Sequence, residues 1–138
     1  MMINYLAVIV CSVLSLVVGA IWYGPLFGKT WLAVIGADAA LVEKRNEMQK
    51  STRLLYLVQF LLSLFQIWIL AYYIAGWQTA SGVVNALWIW AAFIMPTIAG
   101  ASMWNLDPTK VKWARFLIQS GYQLVMLVIY GLILGLWK

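Results

Sequence analysis

Histidine is absent from this 138-residue chain, cysteine occurs once, and only four residues are acidic, Asp38, Glu43, Glu47 and Asp107. Each shortage removes a class of chemistry. Without histidine, and with no carboxylate inside an apolar stretch, the usual general acids and bases are missing. The ligand sets of zinc and similar metals cannot be assembled either, so an enzyme is not expected, nor a metal or other cofactor. The single Cys11 excludes an intrachain disulfide and a cysteine cluster, and its apolar surroundings in sequence make it a small packing residue. Charge is scarce altogether: 9% of the residues are charged, against about a quarter in an average globular protein.

What remains is apolar and aromatic. Hydrophobic residues make up 65% of the chain, and nine Trp and seven Tyr suit the belts that form where hydrocarbon meets headgroup. The net charge of +5 does not indicate a nucleic-acid binder, because the basic residues sit between apolar segments instead of on one face of a soluble scaffold. The first apolar stretch has no basic residue before it, and Trp22-Tyr23-Gly24-Pro25 is a poor cleavage site, so it is expected to be retained.

Four segments, residues 3–23, 54–77, 83–103 and 113–137, reach the length of about 20 residues needed to cross about 30 Å of hydrocarbon. The one charge within them is Arg115. Lipid offers no partner to an open strand edge, and the segments do not alternate as barrel strands do. The expected fold is therefore an all-α integral membrane protein, a single domain over residues 1–138 with four transmembrane helices in a bundle. Lys29, Lys44, Arg45, Lys50, Arg53, Lys110, Lys112 and Arg115 fall on or beside the first and third connections, and only Lys138 on the other side. The positive-inside rule then puts those two connections in the cytoplasm, near anionic headgroups, and both termini outside.

Within the first connection Asp38 can cap a short interfacial amphipathic helix over residues 39–50, where Leu41, Val42, Arg45, Met48 and Gln49 recur at helical spacing opposite Glu43, Lys44, Glu47 and Lys50. A solvated loop is the alternative. The apolar Trp31, Leu32, Val34 and Ile35 are too few to span and are expected in the interface. Pro96 removes a backbone bond and crowds the carbonyl four residues back, which predicts a kink near Ala92, serving packing geometry or gating.

The polar residues left in the spans are neutral. Gln59, Ser63 and Gln66 share a face of the second helix; Gln119 and Gln123 share one on the fourth, with Ser120 and Tyr122 close by. An unpaired amide in lipid costs several kcal/mol, so these faces turn inward. They form either a polar path or ligand pocket, or interhelical hydrogen bonds. Small residues recur as well, Cys11, Ser15 and Gly19 on the first helix and Gly131 with Gly135 on the fourth, which permits close helix approach within one chain or between copies.

The run Gly19-Ala20-Ile21-Trp22-Tyr23-Gly24-Pro25-Leu26-Phe27-Gly28-Lys29-Thr30-Trp31 resembles the signature W-Y-S-P-x-x-F-G-K-x-W of the membrane family catalogued as domain of unknown function 1761. Ala92 to Gly100 around Pro96, and Phe116 to Leu124, resemble that family's later stretches, including I-N-x-G-Y-x-L. Gly24 stands where Ser is common and Gln119-Ser120 where Ile-Asn is common. The resemblance implies four membrane helices and a bacterial cytoplasmic (inner) membrane, and it supplies no activity. Taken physically, Trp22 and Tyr23 end the first helix at the interface, Pro25 stops it, and Trp31 anchors the returning chain. This is a structural elbow or, with Lys29, a site for anionic headgroups.

Two functions lead for such a chain, ahead of a third, an enzyme on lipid or quinone substrates that would rely on Tyr, Lys or the cytoplasmic carboxylates. The leading two are a non-catalytic protein acting through assembly, with itself or another membrane protein, and a channel or facilitator for a small neutral solute or ion lined by the glutamines. If Lys29 holds a headgroup, Lys29→Gln lowers the anionic lipid that co-purifies with the protein; mass spectrometry of extracted lipid checks this, and an unchanged lipid profile counts against it.

Overall fold

Peptide groups in hydrocarbon have no water to turn to, so an apolar segment must close its hydrogen bonds within itself. The structure, a computed structural model, describes residues 3–34, 42–77, 80–104 and 106–137, the side chains of 42–53 excepted. Among the described residues every regular element is helical. In chain order these are α1 (Tyr5–Ile21), a π-helical turn (Trp22–Leu26), α2 (Gly28–Val34), α3 (Val42–Gly76), α4 (Gly82–Ile89), a second π-helical turn (Trp90–Ile94), α5 (Met95–Met103) and α6 (Thr109–Leu136). Four stretches, Tyr5–Leu26, Leu54–Gly76, Gly82–Met103 and Thr109–Leu136, are long and apolar enough to cross a membrane, as expected of a membrane protein.

Several boundaries differ from the sequence expectation. Pro25 does not stop the first helix at Tyr23: the chain widens into a π turn that carries it to Leu26, with the Phe27 amide donating to the Trp22 carbonyl at 3.0 Å. A wider turn spares the proline ring its clash with the carbonyl of the preceding turn. Pro96 is treated alike, because Ala92 lies in the second π turn and Pro96 in the first turn of α5, where its missing amide costs nothing. The Thr97 hydroxyl donates back to the Phe93 carbonyl. The helix expected over 39–50 is not separate within the described residues, since α3 runs unbroken from Val42 into the second span. No Gly or Pro lies between 42 and 75 to interrupt it. Residues 35–41, which include Asp38 and Ile35, fall outside the described residues. α6 starts at Thr109, earlier than expected, because Pro108 at its cap presents a carbonyl to the amides of Val111 and Lys112.

Helix ends leave orphan backbone groups, and short polar side chains meet them here. Asn4 accepts from the Ala7 amide at 3.1 Å and donates to the Trp137 carbonyl at 3.2 Å, tying the start of α1 to the end of α6. Asn85, buried in α4, donates to the Trp77 carbonyl at 3.0 Å just beyond α3, while Ser81 caps α4 through the Val84 amide.

α6 is the post around which the other helices stand, packing against α1, α2, α3, α4 and α5. Ile67, Met126, Leu127, Cys11 and Ser12 are fully enclosed at the centre, whereas Leu57, Leu61, Phe65 and Trp88 face outward. That outward apolar surface suits a bilayer and would be unstable in water. The tightest approach joins α4 to α6. A Cβ on Gly131 would lie 2.6 Å from the Gly82 carbonyl oxygen, and one on Gly135 3.3 Å from the Gly82 Cα, so the small pair on α6 is used inside the chain. Gly131→Ala is therefore expected to destabilise the protein by about 1–3 kcal/mol. Gly100→Ala, which meets nothing within 4 Å, leaves the melting temperature at or above the parent's. Thermal unfolding in detergent compares the two.

Candidate functional site

The polar residues of α3 and α6 meet around a cleft of about 740 Å³. Its construction begins with what α1 lacks at Gly19: a Cβ there would sit 3.2 Å from the Tyr122 hydroxyl. That gap lets Tyr122 of α6 reach across and donate to the Ser15 carbonyl at 2.6 Å. One residue earlier the relation is reversed. Gly121 of α6 makes room for the Trp22 indole, whose Nε1 donates to the Ile118 carbonyl at 3.0 Å. The second π turn supplies a counterpart, with Trp90 Nε1 donating to the Ser120 carbonyl at 3.0 Å. Each π turn thus begins with a tryptophan that fixes it to α6, and the two accepting carbonyls lie two residues apart.

With Trp22 turned toward α6, Tyr23 faces the cleft. Its ring meets Trp31 edge-on at 4.9 Å and Tyr122 edge-on at 5.4 Å, making a continuous aromatic wall from α2 through the π turn to α6. α2 is held in place from the far side. Arg115 donates to the Val34 carbonyl at 3.2 Å and pairs with Asp107 at 2.9 Å, so a charged residue in the second turn of α6 fastens α2 over the end of the cleft. Opposite the aromatic wall stand Tyr56 and Gln59 of α3, with Gln119 and Gln123 of α6 between. Ile98 of α5 completes the lining, and among the described residues no charged side chain takes part.

The sequence-derived groups are thereby regrouped. Gln59, Gln119, Gln123 and Tyr122 do line one cavity, and Ser63 is buried behind it, accepting a 3.4 Å hydrogen bond from Gln59 Nε2. Gln66 belongs to a second, mostly apolar cavity further along α3. Of the set built around the first motif, Tyr23 and Trp31 join the glutamines, Trp22 is a fastening residue, and Lys29 lies exposed on α2 away from the lining. Tyr56 was missed, although it stands one turn before Gln59 on the same face. So was Asn85, whose work on the α3 to α4 connection carries no periodic signal.

Beyond Ser15 the interior is filled by Cys11, Ser12, Met126, Leu127 and Tyr130. The cavity is accordingly a blind cleft in the half of the helices next to α2. Gln119 and Gln123 have no hydrogen-bond partner among the described residues. Such a chamber can orient an uncharged molecule through amide donors and acceptors, tyrosine hydroxyls and ring edges.

Tyr122→Phe keeps the ring contacts and removes the bond to α1. A loss of about 0.6–1.7 kcal/mol is expected, the range for interhelical hydrogen bonds in membranes. Thermal unfolding of the purified variant in detergent measures it.

A family model described as a protein of unknown function (DUF1761) matches residues 6–135. No curated protein and no solved structure matches the chain.

Proposed function

The chain belongs to that family of unknown function, and from this premise we propose that it is a non-catalytic membrane protein that binds an uncharged, membrane-soluble ligand in the cleft between α1, α3 and α6. One observation carries the proposal: Gln59, Gln119 and Gln123 converge from two helices on a chamber with no charged side chain among the described residues, and the last two amides lack a protein partner among those residues. In hydrocarbon an amide left that way costs several kcal/mol, and a ligand carrying hydroxyl or carbonyl groups supplies the missing bonds. The volume lies within the range of about 300–1,000 Å³ common for small-molecule sites.

The blind end favours binding over passage. A channel needs a polar route across the whole thickness, whereas the packing of Met126 and Leu127 against Cys11 stands across this one. Of the features that favoured the assembly reading, the glycine faces are occupied within the chain. Gly131 and Gly135 are spent on Gly82, and Gly19 on Tyr122, so these small faces are filled from within. The excess of basic residues beside α2 and before α6 supports a cytoplasmic position for the mouth of the cleft, in the inner membrane of a bacterium, with both termini on the other side.

The test is to extract the protein from its membranes and identify small molecules that co-purify. The parent is expected to carry an uncharged lipid-soluble compound in near-stoichiometric amount, with affinity falling on the order of three- to twentyfold for Gln119→Leu, the equivalent of one interhelical hydrogen bond. Solute flux in liposomes should be absent in parent and variant. A parent that conducts a neutral solute, and a Gln119→Leu variant that does not, would replace binding by transport.

A further inference from the structure

The cleft does not end the seam in which it lies. A second cavity, of about 460 Å³, is lined by Phe65, Gln66 and Ile69 of α3, Ile89 and Phe93 of the third span, and Leu127 of α6. The same three helices serve both chambers, and each steps in the same direction from one to the other. α3 gives Gln59 to the cleft and Gln66, about two turns on, to the second cavity. α6 gives Gln123 and then, about one turn on, Leu127. The third span runs the opposite way and gives Ile98 first, then Phe93 and Ile89 toward its beginning. The chambers are therefore aligned end to end, the polar one beside α2 and the apolar one toward the middle and far half of the helices.

Their chemistry changes along that line as an amphipathic lipid does. The first chamber offers amides and ring edges; the second offers phenyl and aliphatic walls with Gln66 as its one amide. Gln59 and Gln66 share a face of α3 with Ser63, which is buried between them and lines neither cavity. From Gln59 to Tyr73, the far edge of the second cavity, is about 20 Å at 1.5 Å per residue. This is a length suited to a hydrocarbon chain and far beyond a compact solute.

We infer that the two cavities form one site for a single neutral lipid, with its hydroxyl- or carbonyl-bearing head in the cleft and its one hydrocarbon tail in the apolar groove. This rests on the cleft being a ligand site and adds the tail, the lateral entry it implies, and the selection by chain length. Because the tail leaves lipid and not water, the gain comes from packing against Phe65, Phe93 and Ile69, and the hydrophobic effect contributes little.

Native mass spectrometry of the full chain in detergent reads each element separately. One probe pair is monooleoylglycerol and monohexanoylglycerol; the other is decylubiquinone and its tail-free parent ring. Ile69→Trp fills the groove from an exposed position, and Leu61→Trp adds the same bulk on another exposed part of α3, so partition into detergent cancels between them. In the pair whose head fits, Ile69→Trp is expected to weaken the long-tailed probe about tenfold relative to Leu61→Trp and to leave the short one unchanged, while Gln119→Leu weakens both. The responding pair tells a hydroxylated head from a quinone. If Ile69→Trp and Leu61→Trp behave alike while Gln119→Leu still weakens the short probe, the groove holds only bulk lipid, and the shared site is overturned with the cleft left standing. A short probe indifferent to Gln119→Leu, or no binding of either pair, overturns both.

Discussion

The fold answers to one constraint: a backbone peptide group placed in hydrocarbon must find its partner in the protein, and a side-chain amide must find one there or in what the protein encloses. The constraint first dictates helices, and then dictates how helices fail. At Pro25 and Pro96 the ordinary ladder cannot continue, and the chain does not break open to solvent as it would in water. It widens by one residue into a π turn, keeping nearly every amide engaged, and Thr97 supplies a hydroxyl beside the second interruption. At the ends the same demand is met by Asn4, Ser81 and Asn85.

These repairs also build the site. A π turn rotates the residues after it relative to a regular helix, and at Trp22 this places adjacent side chains on different duties, Trp22 onto α6 and Tyr23 into the cleft. Two indoles donating to carbonyls of α6, at Ile118 and Ser120, hold the π turns against the central helix and so fix the walls on which the aromatic and amide groups are mounted. Arg115 completes the frame from outside the cleft. Its ion pair with Asp107 is about one third exposed and worth little by itself, but its bond to the Val34 carbonyl sets where α2, and with it Trp31, comes to rest.

The spans were legible because their signal is composition and length, which tertiary structure does not override. The inward direction of the glutamine faces was legible in part: Gln66, Gln119 and Gln123 are partly buried and Ser63 is buried, whereas Gln59 is exposed on the open side of the cleft. Less could be read wherever the outcome depended on a partner. Gly131 and Gly135 announced a close approach, but Gly82 is a single residue at a helix start and gave no pattern that would name it as the other side. Pro25 read as a stop because proline usually is one; its accommodation in a π turn depends on the Trp22 indole finding a carbonyl 96 positions away. Gln66 shares a helical face with Gln59, and periodicity grouped them. What separates them is position along the helix, which a face does not encode.

A cleft of this kind carries a consequence for the state in which the protein exists in a membrane. The rigid frame around it, glycine to tyrosine at Gly19 and glycine to indole at Gly121, leaves no slack for collapse, because closing the gap would drive the Tyr122 and Trp22 rings into the backbone of the facing helix. Nor can the amides simply be left bare. The chamber must then be filled by something that bonds to them, either water drawn in from the α2 end or an amphipathic molecule entering between the helices. Water satisfies the amides but wets the aromatic edges of Tyr23, Tyr56 and Trp31, whereas a neutral head with a hydrocarbon body suits both kinds of surface at once. On the proposed reading, the shape that packing imposes on α1 and α6 suits, before any ligand arrives, molecules that are polar at one end and oily along the rest.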